Sequence, residues 1–176
     1  PSAPQKANTD HRGESINFVN ADKLRKTLSE LGYTEKGKEI TSSGTDINSP
    51  IEKVASHIFR TIKNQLPNLK ITVTGGNDKF HKDKSPTSRH TKGNALDFVI
   101  SPVSPANLDA IVVILRRYAA GNSPNFRYID EYRNLSRHGT GNHFHISYGA
   151  GTEGQTALNE SVKLAQEGKI SPIQVV

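Results

Sequence analysis

At 176 residues the chain is one domain's worth, long enough to bury a core without disulfide or metal staples. Its hydrophobic content of 33% and mean hydropathy of -0.61 are low for a compact domain, which leaves length for polar loops or tails. No run approaches the roughly 18 apolar residues of a membrane-spanning helix, and the absence of Cys excludes disulfides, thiolate metal ligands and Cys nucleophiles. The net charge of +6 favours a polyanionic neighbour, and nucleic acid, an acidic membrane and an anionic bacterial wall fit it equally.

Residues 1 to 17 are rich in Pro, Ser, Asn and charge and read as a disordered leader before a single domain over 18–176. Pro1 to Ser15 carries no basic-then-apolar secretory pattern, and no Met occurs anywhere; a processed chain or an excised domain is expected. Asn20 is placed to cap a helix over Ala21–Leu31, with Leu24, Leu28 and Leu31 at helical spacing and Gly32 at its end. Lys36–Ser49 is turn-rich, with a short extended piece expected at Glu39–Thr41. Ser49-Pro50 opens an amphipathic helix whose apolar face is Ile51, Val54, Ala55, Ile58, Phe59 and Ile62.

Leu69–Thr74 alternates as a half-buried strand and stops at Gly75-Gly76. Asn77–Arg89 reads as a long polar loop, and loops of that length in compact domains are usually functional or disordered. Asn94–Ile100 is a second strand. Ser104-Pro105 starts a helix that Gly121 stops. Phe126–Tyr132 and His143–Tyr148 are further strands, a last helix covers Thr156–Gln166, and the tail to Val176 is expected on the sheet edge or leading into a further domain. The order of elements suggests an α+β layer fold with a mainly antiparallel sheet flanked by helices.

Two stretches carry the chemistry. In Asn142-His143-Phe144-His145-Ile146, alternation puts His143 and His145 on one face and Phe144 and Ile146 on the other. Two imidazoles about 7 Å apart on one face suit a site where one binds metal and the other meets substrate or water; two solvated surface histidines are the plain alternative. In Ser88-Arg89-His90-Thr91-Lys92-Gly93-Asn94-Ala95-Leu96-Asp97, Gly93 lets the chain turn between His90 and Asp97. An Asp inside an apolar strand is costly unless compensated, by a dication or by a nearby Lys or Arg. A carboxylate and two imidazoles, leaving a fourth position for water, are the donor set of a catalytic rather than a structural zinc.

The pattern Ser-x-His-x-x-Gly-x-Ala-x-Asp followed by His-x-His resembles the LAS metallopeptidases, which include zinc D-Ala-D-Ala carboxypeptidases, VanX and VanY enzymes, murein endopeptidases and phage endolysins, and whose fold the hedgehog signalling domain shares. The resemblance spans roughly Lys70 to Gly149. It implies an antiparallel sheet flanked by helices, one zinc ion on His90, Asp97 and His145, and hydrolysis of peptidoglycan peptides at the bacterial wall, whose anionic surface suits the basic chain.

Two departures matter. Where many members carry an acid three residues before the last ligand, this chain has Asn142. His143 is then the expected assistant, with His138 near it in sequence, and Asp130 and Glu131 the remaining acids, of which at most one can face the metal; for both, a solvated carboxylate paired with Arg127 or Arg133 is the plainer expectation. An inactive zinc-binding module of the same fold is the alternative that Asn142 motivates. Where carboxypeptidase-like members place a substrate-binding Arg, this chain reads Thr74-Gly75-Gly76-Asn77-Asp78, which favours an endopeptidase. Ser88, Arg89 and Asp78 are the candidate substrate contacts, and His81 a further loop histidine. Nucleic-acid binding would rest on charge alone, since aromatic content is 6% and no basic stripe interleaves with stacking residues.

Overall fold

A computed structural model describes residues 8–9, 15–122, 125–134, 141–149 and 155–173, with side chains from residue 17 onward. The elements in chain order are β1 (Asn8–Thr9), β2 (Ser15–Ile16), α1 (Val19–Leu31), β3 (Thr34–Glu35), α2 (Ser49–Gln65), β4 (Lys70–Gly75), α3 (Lys79–Lys84), β5 (Ala95–Ser101), α4 (Pro105–Gly121), β6 (Phe126–Asp130), β7 (Phe144–Tyr148) and α5 (Gln155–Gln166). The fold is α+β. Five strands form a mixed sheet in the order β3-β4-β5-β7-β6. β3 runs parallel to β4, while β4–β5, β5–β7 and β7–β6 are antiparallel.

The period-2 pattern of the strands decides which way each side chain turns. Ile71, Val73, Leu96, Phe98, Ile100, Phe126, Tyr128, Phe144 and Ile146 are buried in one apolar core with residues of α1, α2, α4 and α5. Phe59 of α2 meets Phe98 edge-on at 5.3 Å, and Tyr118 of α4 meets Phe126 at 4.7 Å. Both contacts fall within the ring separations that add to simple burial. Within α5, Ser161 Oγ lies 3.3 Å from Tyr128 Oη of β6. Helices therefore cover this face, and the residues between these positions in the strands are left for the other.

Several expectations are corrected. Asn20 does not cap α1 with its side chain. The helix begins at Val19, and Asp46 takes the backbone N–H groups of Asn20 and Ala21 at 3.0 and 2.9 Å. A carboxylate from a distant turn satisfies the free N–H groups as well as a local cap would. Glu39–Thr41 is a 3-10 turn, not an extended piece. The expected loop after β4 holds the short helix α3, capped by Asp78 Oδ1 on the His81 N–H at 2.8 Å. As far as Ile173 the tail runs against α4 rather than the sheet edge: the Ile173 N–H donates to the Arg117 carbonyl at 2.8 Å, and Arg117 Nε to the Ser171 carbonyl at 2.9 Å; the rest of the expected tail lies outside the described residues. Within the expected leader, Asn8–Thr9 pairs antiparallel with Ser15–Ile16.

Candidate metal centre

The face of the sheet away from the helices carries the polar residues. Asp97 is the cross-strand partner of Gly75 on one side and of His145 on the other. That register brings the carboxylate and the imidazole within the roughly 4.5–5.5 Å separation of directly opposed Cβ atoms. At Gly75 an added Cβ would stand 3.1 Å from Asp97 Oδ2 and 3.2 Å from Asp78 Oδ2. A residue without a side chain is what leaves the carboxylates their room.

His90 arrives from the segment between α3 and β5. Ser88 Oγ accepts the His90 N–H at 3.2 Å, the Gly93 N–H returns to the His90 carbonyl at 3.0 Å, and Asn48 Nδ2 holds the Lys92 carbonyl at 2.9 Å. Gly93 turns with a φ of 73°, in the left-handed region, as its place between His90 and Asp97 requires. His90 Nδ1 then lies 2.9 Å from the Gly76 carbonyl, which can only accept, so Nδ1 carries a proton and Nε2 is the atom turned to the centre.

Three donor atoms converge. His90 Nε2 is 3.2 Å from His145 Nδ1 and 3.2 Å from Asp97 Oδ1, and His145 Nδ1 is 3.0 Å from the same oxygen. All three residues are buried. Burial pushes the Asp97 carboxyl up, but the charge of His90 and the hydrogen bonds of His145 and His90 outweigh it and hold the group well below the usual carboxylate range. His90 Nε2 and the Asp97 carboxylate stand at hydrogen-bond distance, a contact that a proton or a bound cation can occupy. Four donors around a tetrahedral zinc at 2.0–2.1 Å stand about 3.3–3.4 Å apart. The triangle fits one face of that tetrahedron, and it requires no thiolate.

A second tier surrounds the triangle. Glu131, one residue past β6, is buried at 5% exposure, and its backbone continues the ladder by donating to the His143 carbonyl at 3.0 Å. Its Oε2 lies 3.3 Å from His143 Nε2, which is also 3.7 Å from Asp97 Oδ1. His143 Nδ1 donates to the Gly141 carbonyl at 2.9 Å, so its Nε2 is the atom turned to both carboxylates. Asp130 turns the other way and holds Arg133 Nε at 2.7 Å. Alternation thus separates the two acids. Asn142 is exposed, with a φ of 58° directly after Gly141 at 76°. Consecutive left-handed positions suit Gly and Asn.

Among the other expected site residues, Ser88 serves the turn before His90. Arg89 Nη1 reaches Ser147 Oγ at 3.4 Å and the Gly149 carbonyl at 3.2 Å, beside the centre. Asp78 is buried at 2% exposure with its oxygens on the Gly76 N–H at 3.0 Å and on His81 Nδ1 at 2.7 Å. Burial raises its carboxyl, yet its bonds to His81 prevail and lower it. His138 lies outside the described residues. His81, one loop histidine among others in the sequence, stacks on His90 with ring centres 3.7 Å apart and planes 7° from parallel. An Asp three residues before it was the available signal, since that spacing caps a helix and aims the imidazole.

No family model, no curated protein and no solved structure matches this chain.

Proposed function

We propose that the chain is a zinc-dependent peptidase of the LAS type that hydrolyses peptide bonds of bacterial peptidoglycan, as an endopeptidase rather than a carboxypeptidase. The observation that carries the reading is the triangle of His90 Nε2, Asp97 Oδ1 and His145 Nδ1, buried on the face of the sheet opposite the apolar core. The α+β architecture and the motif spacing agree with it. A dication held there would polarise a scissile carbonyl and lower the pKa of a water toward about 7.

The chain's own residues supply the proton handling. His143 is fixed at Nδ1 by Gly141, so its Nε2 and Glu131 Oε2 share one position for a proton 3.3 Å across. The pair takes the proton of the attacking water and returns it to the leaving amine, a task typically worth 10²–10⁴-fold in rate. Glu131 fills from the neighbouring strand the place that Asn142 leaves without an acid. At the end of β4, Asn77 and Asp78 are buried and bonded within the protein, and the stretch offers no Arg for a free C-terminal carboxylate. That favours cleavage within a peptide.

The test is digestion of purified peptidoglycan with mass spectrometry of the released muropeptides. New peptide termini are expected, abolished by EDTA and restored by zinc. Glu131→Gln should lower turnover by about 10²–10⁴-fold while keeping the ion. The second reading, a zinc-binding module without turnover, draws on Asn142; bound zinc with intact muropeptides would establish it and end the peptidase proposal.

A further inference from the structure

The His90, Asp97 and His145 triangle leaves one imidazole and one carboxylate oxygen unused beside it. His81 Nδ1 donates to Asp78 Oδ2 at 2.7 Å, so its Nε2 carries the lone pair. That atom lies 3.9 Å from Asp97 Oδ2, the oxygen that takes no part in the triangle. The gap is too long for a hydrogen bond. Two donors of one tetrahedral ion stand about 3.3–3.4 Å apart, so closing by about 0.5 Å would let these two share an ion. A carboxylate on the far ring nitrogen is the support that metal-ligating histidines ordinarily have. His81 therefore has the equipment of a ligand without a place in the triangle.

It cannot join the same ion as it stands. A ligand imidazole binds in its own ring plane, and the His81 and His90 planes are 7° from parallel with centres 3.7 Å apart. An ion in the plane of His90 misses the plane of His81 by most of that distance. Two ions, each in the plane of its own ring, would instead stand on the order of 3.5–4 Å apart, the separation of two-metal hydrolytic sites.

We propose a second divalent-cation position, held by His81 Nε2 and Asp97 Oδ2, with Asp97 bridging the two ions and Asp78 orienting His81. Charge favours it: Asp78 and Asp97 are both buried, and a cation beside them offsets charge that burial penalises. His81 is 21% exposed, so water can complete the coordination. With two protein ligands against three, this position is the weaker. The inference rests on reading the triangle as a metal centre and does not depend on which bond, if any, the protein cuts.

The experiment is titration of the metal-free full chain with zinc and with cobalt, read as ions bound per chain by equilibrium dialysis and elemental analysis, with the cobalt protein examined for magnetic coupling between ions. Two ions are expected in the wild type, the second binding more weakly. His81→Ala should bind one, with the first ion's affinity changed less than about 10-fold, and Asp78→Asn should weaken the second ion by about 10–100-fold. His145→Ala should lose the first ion. Saturation of the wild type at one ion overturns the second position and leaves the first standing. Retention of two ions by His81→Ala also overturns it. A one-ion wild type whose affinity collapses in His81→Ala would make His81 a support of the first ion. No ion at all would remove the metal centre itself.

Discussion

Where Asp97 and His145 stand, the two faces of the central sheet are both hidden from water but hold together by different means. Phe98 and Phe144, in the helix-covered layer, are 0% exposed; Asp97 and His145, adjacent to them in the same strands, are 7% and 4% exposed. On the first face burial itself is stabilising, about 25 cal/mol per Å² of apolar surface. On the second it costs, and each polar atom must be met by a hydrogen bond or a cation. Depth alone does not tell a core from a site. The apolar face should be indifferent to acid and chelators, and the polar face sensitive to both.

The contrast breaks most sharply when a ligand is removed. His145→Ala should abolish high-affinity zinc and, with it, the roughly 4 kcal/mol of added stability that an ion at 1,000 times its dissociation constant confers. Thermal melts with and without zinc would coincide in the variant and separate in the parent. Phe98→Ala should lose about 3–5 kcal/mol by the cavity it leaves, seen as a lower denaturant midpoint in chelator, while the number of ions bound stays the same.

Acid offers a milder probe. Asp97 and Asp78 both have carboxyls lowered in the folded protein. Their contribution is therefore fully present above the ordinary carboxylate value near 3.9, and is lost as pH falls below it, because there the unfolded chain binds more protons. Denaturation of the metal-free protein between about pH 4 and pH 2 should steepen in this way, and Asp97→Asn should flatten the slope. Phe98→Ala should shift the curve down without changing its shape. The smallest effect is expected at Gly75→Ala, where the new methyl crowds Asp97 Oδ2 at 3.1 Å and Asp78 Oδ2 at 3.2 Å. Weaker zinc binding is expected there with no more than about 1 kcal/mol of lost stability.

The helix-covered face was legible in the sequence because periodicity records it. The apolar positions of α2 and β4 are the ones that pack. The triangle was legible because its spacing survives as a motif around His90, Asp97 and His145. What surrounds it left less trace. α3 has no apolar period, so its six residues read as loop, and the stacking of His81 on His90 comes from tertiary placement. Strand alternation could say that at most one of Asp130 and Glu131 faces the candidate site, but the choice needed the register of β6 on β7. The cap of α1 comes from Asp46, more than twenty positions along the chain, where no local rule would look.

The pairing of Asp97 with His145 also ties ion capture to correct assembly. Slide β5 by a single residue against β7, and Asp97 would turn into the apolar layer while Leu96 met the imidazoles. Only the properly aligned sheet presents a cage worth occupying. A cation arriving late in folding would thus act as a proofreader, locking in chains whose central strands have met in the right frame and leaving misaligned ones open to rearrange.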